Sequence, residues 1–177
     1  MGSALQAQGE LDEAIGHYRQ ALQLNGNLVA GHNALGTALA GQGELDEAVS
    51  HYLRALELEP DDAGTRYNMA VAIGSQLEMA WTLATHPDAA ARDPDAAMQL
   101  AERAVELTGS QDPGALDVLA AAYAAAARFE LAATTARAAV GLATAAGADG
   151  LARELRARQD LYERARPYRE SAPSDMK

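Results

Sequence analysis

The sequence predicts an all-α protein, built as a solenoid of antiparallel helix pairs. The hexapeptide Gly-Glu-Leu-Asp-Glu-Ala occurs at residues 9–14 and again at residues 43–48, and residues 1–28 match residues 35–62 at 15 positions without a gap. An internal repeat of this period is typical of stacked helical hairpins. Apolar residues make up 49% of the chain, with much alanine but one Phe and one Trp, which favours closely packed helices over sheets. We therefore expect about 3.5 repeats and a capping helix.

The best preserved repeat covers residues 29–62 and predicts two helices joined by a tight turn. Its apolar and small residues recur at helical spacings, interrupted at Gly41–Gly43. In the repeated hexapeptide, Gly supplies the turn, and Glu and Asp favour the positive N-terminus of the second helix. Pro60 ends that helix. The hexapeptide is therefore a structural corner.

This segment resembles the tetratricopeptide repeat, a helix-turn-helix unit with the same period. The resemblance is carried by the family's order of Leu, Gly, a second Leu, Ala, an aromatic residue, Ala and Pro: Leu35, Gly36, Leu39, Ala48, Tyr52, Ala55 and Pro60. His32 stands where the family often has Trp. The resemblance implies a right-handed α-solenoid in which the first helices of successive repeats line a concave groove that receives a partner.

The preceding and following segments fit the pattern less completely. Residues 1–28 form a truncated first repeat, because Met1 and Gly2 lie over the Leu-Gly pair of the next repeat. Residues 63–109 form a degenerate third repeat whose first helix is long, roughly Gly64 to Thr85, since no glycine-rich corner interrupts it. A second helix is expected from Pro94 to about Leu107.

The C-terminal part completes the predicted array. Residues 113–146 form a fourth repeat, whose corner lacks glycine, and residues 148–166 form an amphipathic capping helix. Residues 1–166 are thus predicted to be a single solenoid. Residues 167–177 are expected to be a flexible tail.

Charge and composition exclude several classes of function. The net charge is −11, and residues 1–110 carry 16 acids against 5 arginines, which opposes nucleic acid binding. The chain has no Cys, so disulfides and thiolate zinc sites are excluded. No apolar run is long enough to span a bilayer. We expect a soluble, cytoplasmic protein, with a periplasmic location left open.

No pattern indicates catalysis, a cofactor or a metal. The serines lack a nucleophile-elbow context, and no glycine-rich phosphate loop follows a strand. His17 and His51 each follow a Glu by four residues, but a zinc site needs three or four converging ligands. His32 and His86 are interpreted as isolated fillers. Trp81 is interpreted as core. The sequence therefore predicts a protein that is not an enzyme.

The functional surface is predicted from the family's concave groove. Its lining would comprise small and mostly uncharged residues: Ser3, Gln6, Asn33, Thr37, Ala40, Tyr67, Val71, Ser75, Asp117, Ala121 and Ala125. Such a surface suits the close approach of a partner peptide or helix. Family members that clamp a chaperone's terminal carboxylate use Lys, Arg and Asn, whereas this chain offers Asn33 and Arg66 nearby, so that role is not expected.

The main hypothesis is a protein-protein interaction scaffold that forms the C-terminal segment of a larger bacterial-type multi-repeat protein. Two alternatives stay open: a regulatory sensor that binds a small ligand or short peptide, and an accessory module of a glycosyltransferase. A homodimer through the truncated first repeat is also predicted, because its second helix would leave part of an apolar face uncovered: Ala14, Ile15, Tyr18, Ala21 and Leu22.

Overall fold

The computed structural model describes residues 10–170, and within this range the chain forms eight α-helices and no strand. The helices are α1 Leu11–Leu24, α2 Val29–Gln42, α3 Leu45–Leu58, α4 Ala63–Thr85, α5 Pro94–Leu107, α6 Pro113–Ala125, α7 Phe129–Ala145 and α8 Asp149–Glu163, with a short 3-10 helix at Ala89–Ala91. The predicted all-α class is confirmed. The long helix α4 lies where the sequence predicts it.

The chain divides into two compact units, Met1–Ser75 and Gln76–Lys177. In the first unit α1 packs on α2 and α2 packs on α3. In the second unit α5 packs on α6, α6 on α7 and α7 on α8. Because the connections are short, consecutive helices run antiparallel, as a helical hairpin requires.

The corners between paired helices share one backbone geometry. Gly43 ends α2 with φ +84°, and the amide of Glu44 donates to the carbonyl of Leu39 at 3.0 Å. At the equivalent position of the fourth repeat, Ala127 adopts φ +58°, and the amide of Arg128 donates to the carbonyl of Tyr123 at 2.8 Å. The corner that lacks glycine therefore forms the same turn, at a strain cost of about 1 kcal/mol for an L-residue.

Helix pairs approach closely because one partner is small where the other is large. A Cβ atom built on Gly36 would lie 2.7 Å from Cε1 of Tyr52 and 3.0 Å from the carbonyl oxygen of Ala48. Tyr52 is buried, with 1% of its surface exposed. In the fourth repeat the equivalent pair is Ala120 and Ala136, both fully buried. Because Ala136 has no aromatic ring where the second repeat has Tyr52, there is room for the methyl group of Ala120 where the second repeat has Gly36.

The C-terminal segment differs from the prediction of a flexible tail over residues 167–177. The amide of Glu170 donates to the carbonyl of Thr85 at 3.0 Å, and Nη1 of Arg169 donates to the carbonyl of Ala84 at 3.0 Å. The ring of Tyr168 lies 5.5 Å from that of Trp81. Residues 169 and 170 therefore satisfy carbonyls of the last turn of α4. Residues 171–177 lie outside the described residues.

The apolar face that suggested a homodimer is not open at its centre. Ala14, Ile15 and Tyr18 are buried within the single chain, with 0%, 5% and 9% of their surfaces exposed. Ala21 and Leu22 are half-buried. A second copy is not required to cover the centre of this face, and the homodimer stays a prediction.

Among the helices of residues 10–170, none combines the length and the apolar character needed to cross a membrane.

The close approach at Gly36 predicts opposite effects for two glycine-to-alanine substitutions in the first unit. Gly36→Ala should lower the free energy of unfolding by about 1–3 kcal/mol, because the added methyl group clashes with Tyr52. Gly16→Ala is the matched control, since a Cβ there meets nothing within 4 Å. It should raise the free energy of unfolding by up to about 1 kcal/mol through helix propensity. Urea unfolding monitored by circular dichroism measures both, and equal effects would contradict the packing argument.

Candidate functional site

A cavity of about 320 Å³ opens on the first unit among α2, α3 and the first half of α4. Five of the predicted groove residues line it: Thr37, Ala40, Tyr67, Val71 and Ser75. Five residues that the sequence analysis did not assign to the groove complete the lining: Gly41, Leu45, Tyr52, Asn68 and Ala72. The antiparallel pairing of α2 and α3 places Tyr52 behind α2, so its ring forms part of the wall.

The floor of this first-unit cavity is a hydrogen-bonded polar cluster. Nδ2 of Asn68 donates to Oδ1 of Asn33 at 3.0 Å and approaches Oγ1 of Thr37 at 3.4 Å. The hydroxyl of Tyr52 donates to Oγ1 of Thr37 at 3.2 Å. The hydroxyl of Thr37 in turn donates to the main-chain carbonyl of Asn33 at 2.9 Å. Burial raises the pKa of Tyr52 and keeps it a donor. The cluster fixes these side chains in place.

Sequence reasoning missed Asn68, which ties α4 to α2 within this unit. A signal was present, because Asn68 directly follows Tyr67, the predicted groove residue equivalent to Asn33 one period earlier. A helical face is wider than one residue per turn, so a neighbour of a groove residue also reaches the groove.

Apolar side chains stand exposed at the mouth of the cavity. Tyr67 has 70% and Val71 52% of its surface exposed. The residues between and beneath them are small, including Ala40, Gly41 and Ser75. No charged residue lines the cavity within the described part of the chain. The geometry combines an aromatic anchor with room for a close-lying backbone.

The remaining predicted groove residues are placed differently. Ser3 and Gln6 lie outside the described residues. Asp117 and Ala121 are buried, with 7% and 2% of their surfaces exposed, and Ala125 is half-buried. Asp117 and Ala121 are therefore not available to a partner as the sequence predicted.

Asp117 is buried because it pairs with Arg158 of α8. Nε of Arg158 donates to Oδ1 of Asp117, and Nη2 lies against Oδ2, both at 2.8 Å. Burial raises the pKa of the Asp117 carboxyl, and the guanidinium opposes that shift. The two-point contact fixes the plane of the guanidinium. The guanidinium carbon Cζ of Arg158 lies 5.5 Å from the ring centre of Trp81 and 5.7 Å from the ring centre of Tyr168.

Trp81 is half-buried and packs against the hydrophobic core of the second unit, with part of its surface left open. It lines a second cavity, of about 540 Å³ and confined to the second unit, together with Leu77, Glu78, Thr82, Gly114 and Val118. Its Nε1 donates to Oε1 of Glu170 at 2.6 Å. A single Trp at helical spacing gives no sequence signal that separates a core position from a cavity wall.

Two histidines of the first unit form a pair that the sequence interpretation missed, since His32 was taken as isolated. Their Nδ1 atoms lie 3.0 Å apart, and Nε2 of His32 lies 3.1 Å from the carbonyl oxygen of Gly26. A carbonyl only accepts, so Nε2 of His32 carries the proton and its Nδ1 accepts from His51. Burial and the neighbouring His32 lower the pKa of His51, against the opposing effect of Glu47.

A metal site does not form around this pair. Within residues 10–170, no three His, Asp or Glu side chains come together in a way that could hold an ion. Glu47 lies 3.8 Å from Nε2 of His51, on the side of the ring away from His32, and also pairs with Arg19 at 2.8 Å.

The histidine pair predicts a loss of stability in acid. Because the pKa of His51 is lowered below 6.5, the folded chain binds fewer protons than the unfolded chain near that pH. The contribution of neutral His51 to the free energy of unfolding is fully present above pH 6.5 and is lost as the pH falls below that value. The melting temperature of the wild type should fall more between about pH 7.5 and about pH 5 than that of His51→Gln. His17→Gln is the control, as His17 occupies the same position one repeat earlier; parallel curves for wild type and His51→Gln would contradict the prediction.

The Asp117–Arg158 pair predicts a large coupling in stability. Their side chains are 10% and 14% exposed. Asp117→Ala should therefore destabilise by about 3 kcal/mol, because it leaves a largely desolvated guanidinium unpaired. Arg158→Ala should cost a similar amount, and the double variant should lose clearly less than the sum. Additive losses in urea unfolding would show that the pair is not coupled.

A comparison with protein-family models agrees with this architecture for the first unit. A family model described as TPR repeat matches residues 2–43 and 36–76. Solved structures with similar folds include MamA 41-end from Desulfovibrio magneticus RS-1, at 18% identity and TM-score 0.42, covering 93% of this chain and 92% of that one. Another is YrrB, titled a TPR protein with an unusual peptide-binding site, at 21% identity and TM-score 0.43, covering 93% and 77%.

Comparison with curated proteins found no match. The family match covers the first unit and its corner at Gly43, where the close approach of Gly36 and Tyr52 also lies. Residues 2–76 therefore match the sequence pattern of tetratricopeptide repeats.

Proposed function

We propose that the first-unit cavity binds an extended peptide or a helix of a partner protein. Tetratricopeptide repeats generally serve as non-enzymatic scaffolds for protein-protein interaction. The observation that carries the proposal is the exposure of Tyr67 and Val71 at the mouth of a cavity whose floor is polar and fixed. Isolated exposed apolar residues are ordinary, but here they border a concave surface.

The lining offers two kinds of contact to a partner. Tyr67 presents a large, rigid surface of the type that anchors interfaces, and Val71 extends it by one helical turn. Asn68 lines the cavity and is hydrogen-bonded to Asn33 beside it, and the two amide groups retain further donor and acceptor capacity. A partner's main chain, which has both donors and acceptors, matches that capacity.

The charge of the cavity lining and of the first unit indicates which partner segments can bind. The cavity lining within the described residues is uncharged, so the site lacks a guanidinium or ammonium group to clamp a terminal carboxylate. Arg66, the nearest cation expected from the sequence, is exposed, and its Nη2 donates to the carbonyl of Asp61 at 3.3 Å. Residues 10–75 carry 10 acids against 3 arginines, which favours approach of a neutral or basic segment.

The other functions that the sequence leaves open gain no support. Nothing in the described residues favours a small-ligand sensor or an accessory module of a glycosyltransferase.

A selection from a random peptide library displayed on phage tests the proposed site. Peptides that bind the wild-type chain should bind Val71→Arg at least about tenfold more weakly, because the new side chain fills the mouth of the cavity. Tyr67→Ala should weaken binding similarly, as it removes the anchor.

Leu53→Arg is the matched control. Leu53 is also an exposed apolar residue of the first unit, with 36% of its surface exposed, but it does not line the cavity. Selected peptides should bind this variant as they bind the wild type. Equal weakening by Leu53→Arg and Val71→Arg, or no weakening by folded Val71→Arg, would place the binding surface elsewhere.

A further inference from the structure

Residues 167–170 lie on the second unit as an extended peptide lies on a receptor. The segment follows α8 and has no regular secondary structure of its own. It is held by the main chain at one point, where the amide of Glu170 donates to the carbonyl of Thr85 at 3.0 Å. The other contacts come from three consecutive side chains, those of Tyr168, Arg169 and Glu170.

Each of these side chains meets a distinct element of the surface. The ring of Tyr168 packs beside Trp81 and within 5.7 Å of the guanidinium carbon of Arg158. Nη1 of Arg169 donates to the carbonyl of Ala84, and Oε1 of Glu170 accepts from Nε1 of Trp81 at 2.6 Å. An aromatic, a basic and an acidic residue are therefore recognised in that order.

Part of the receptor surface is held by contacts outside the segment. Asp117 holds the guanidinium of Arg158 in one plane through two contacts at 2.8 Å. The last carbonyls of α4 are free of helical partners by the geometry of any helix end, so they accept from outside the helix. Trp81 also lines the cavity of about 540 Å³, which leaves space beside the indole on the second unit.

We propose that this surface is a second peptide-binding site, and that the chain's own residues 167–170 occupy it as an intramolecular ligand. A partner segment with an aromatic residue two positions before an acidic residue, and a basic residue between them, has the chemistry to replace it. In the occupied state Tyr168 and Glu170 cover part of Trp81, and Tyr168 lies beside Arg158. The site is separate from the first-unit cavity, and the proposal does not depend on the function assigned there.

The apparent affinity of this site for a free peptide depends on competition with the tethered residues 167–170. A ligand joined to its site by a short linker acts at an effective concentration in the millimolar range. A free peptide therefore binds the wild-type chain weakly, although the same peptide binds once the tethered copy is disabled. This difference separates a reversible ligand from a permanent structural strap.

The test uses the full chain with Tyr168→Ala and Glu170→Gln combined, titrated with the acetylated and amidated peptide Arg-Pro-Tyr-Arg-Glu, which copies residues 166–170. Trp81 is the only tryptophan, so its fluorescence reports on the site directly. The peptide should change the emission of the double variant saturably. It should bind the wild type at least about tenfold more weakly.

Three controls make the outcome decisive. The peptide Arg-Pro-Ala-Arg-Gln should not bind the double variant, and Val71→Arg in the first unit should leave the peptide titration unchanged. Circular dichroism checks that the variant folds; if it does not, Glu170→Gln alone serves, since it removes the charge opposite Trp81. Unchanged emission in a folded variant, or equal binding by the wild type, would overturn the proposal, as would a wild-type dimer that dissociates when the two substitutions are made.

Discussion

The close approach of paired helices through small side chains is the constraint on which the rest of the structure depends. Where Gly36 faces Tyr52, the backbone of α2 comes within contact distance of an aromatic ring. The ring then fills space that would otherwise be a void, and its hydroxyl reaches Thr37 at the base of the first-unit cavity. The packing that holds the repeat together thus also shapes the polar floor of the candidate site.

The second unit meets the same constraint with different residues. Its buried core is largely alanine, and the equivalents of Gly36 and Tyr52 are Ala120 and Ala136. Small residues on both sides bury less apolar surface per contact, so fewer large side chains stabilise the helix pairs. Polar anchors supplement this core: the Asp117–Arg158 pair joins α6 to α8, and the C-terminal segment binds the end of α4.

The helical architecture was predictable because its signals are local and periodic. The repeated hexapeptide predicts the corner at Gly43, and spacing alone predicts the long helix α4. Half of the first-unit lining was predicted because equivalent positions recur in each repeat. The pairs His32–His51 and Asp117–Arg158 were not predicted. They join residues far apart in the sequence, and their approach depends on the direction of the side chains rather than on the period of the repeat.

The same distinction explains why the contacts of residues 168–170 were not predicted from the sequence. Polarity and position at the end of a chain predict disorder only when no partner surface exists, and whether one exists is a tertiary fact. Here the partner surface is assembled from Trp81 on α4, Arg158 on α8 and the carbonyl ends of α4. None of these features is unusual alone in a helical repeat, but together they provide a stacking face, a donor for a carboxylate and acceptors for a cation. A surface with that combination discriminates among peptides, whereas a plain apolar face would accept many.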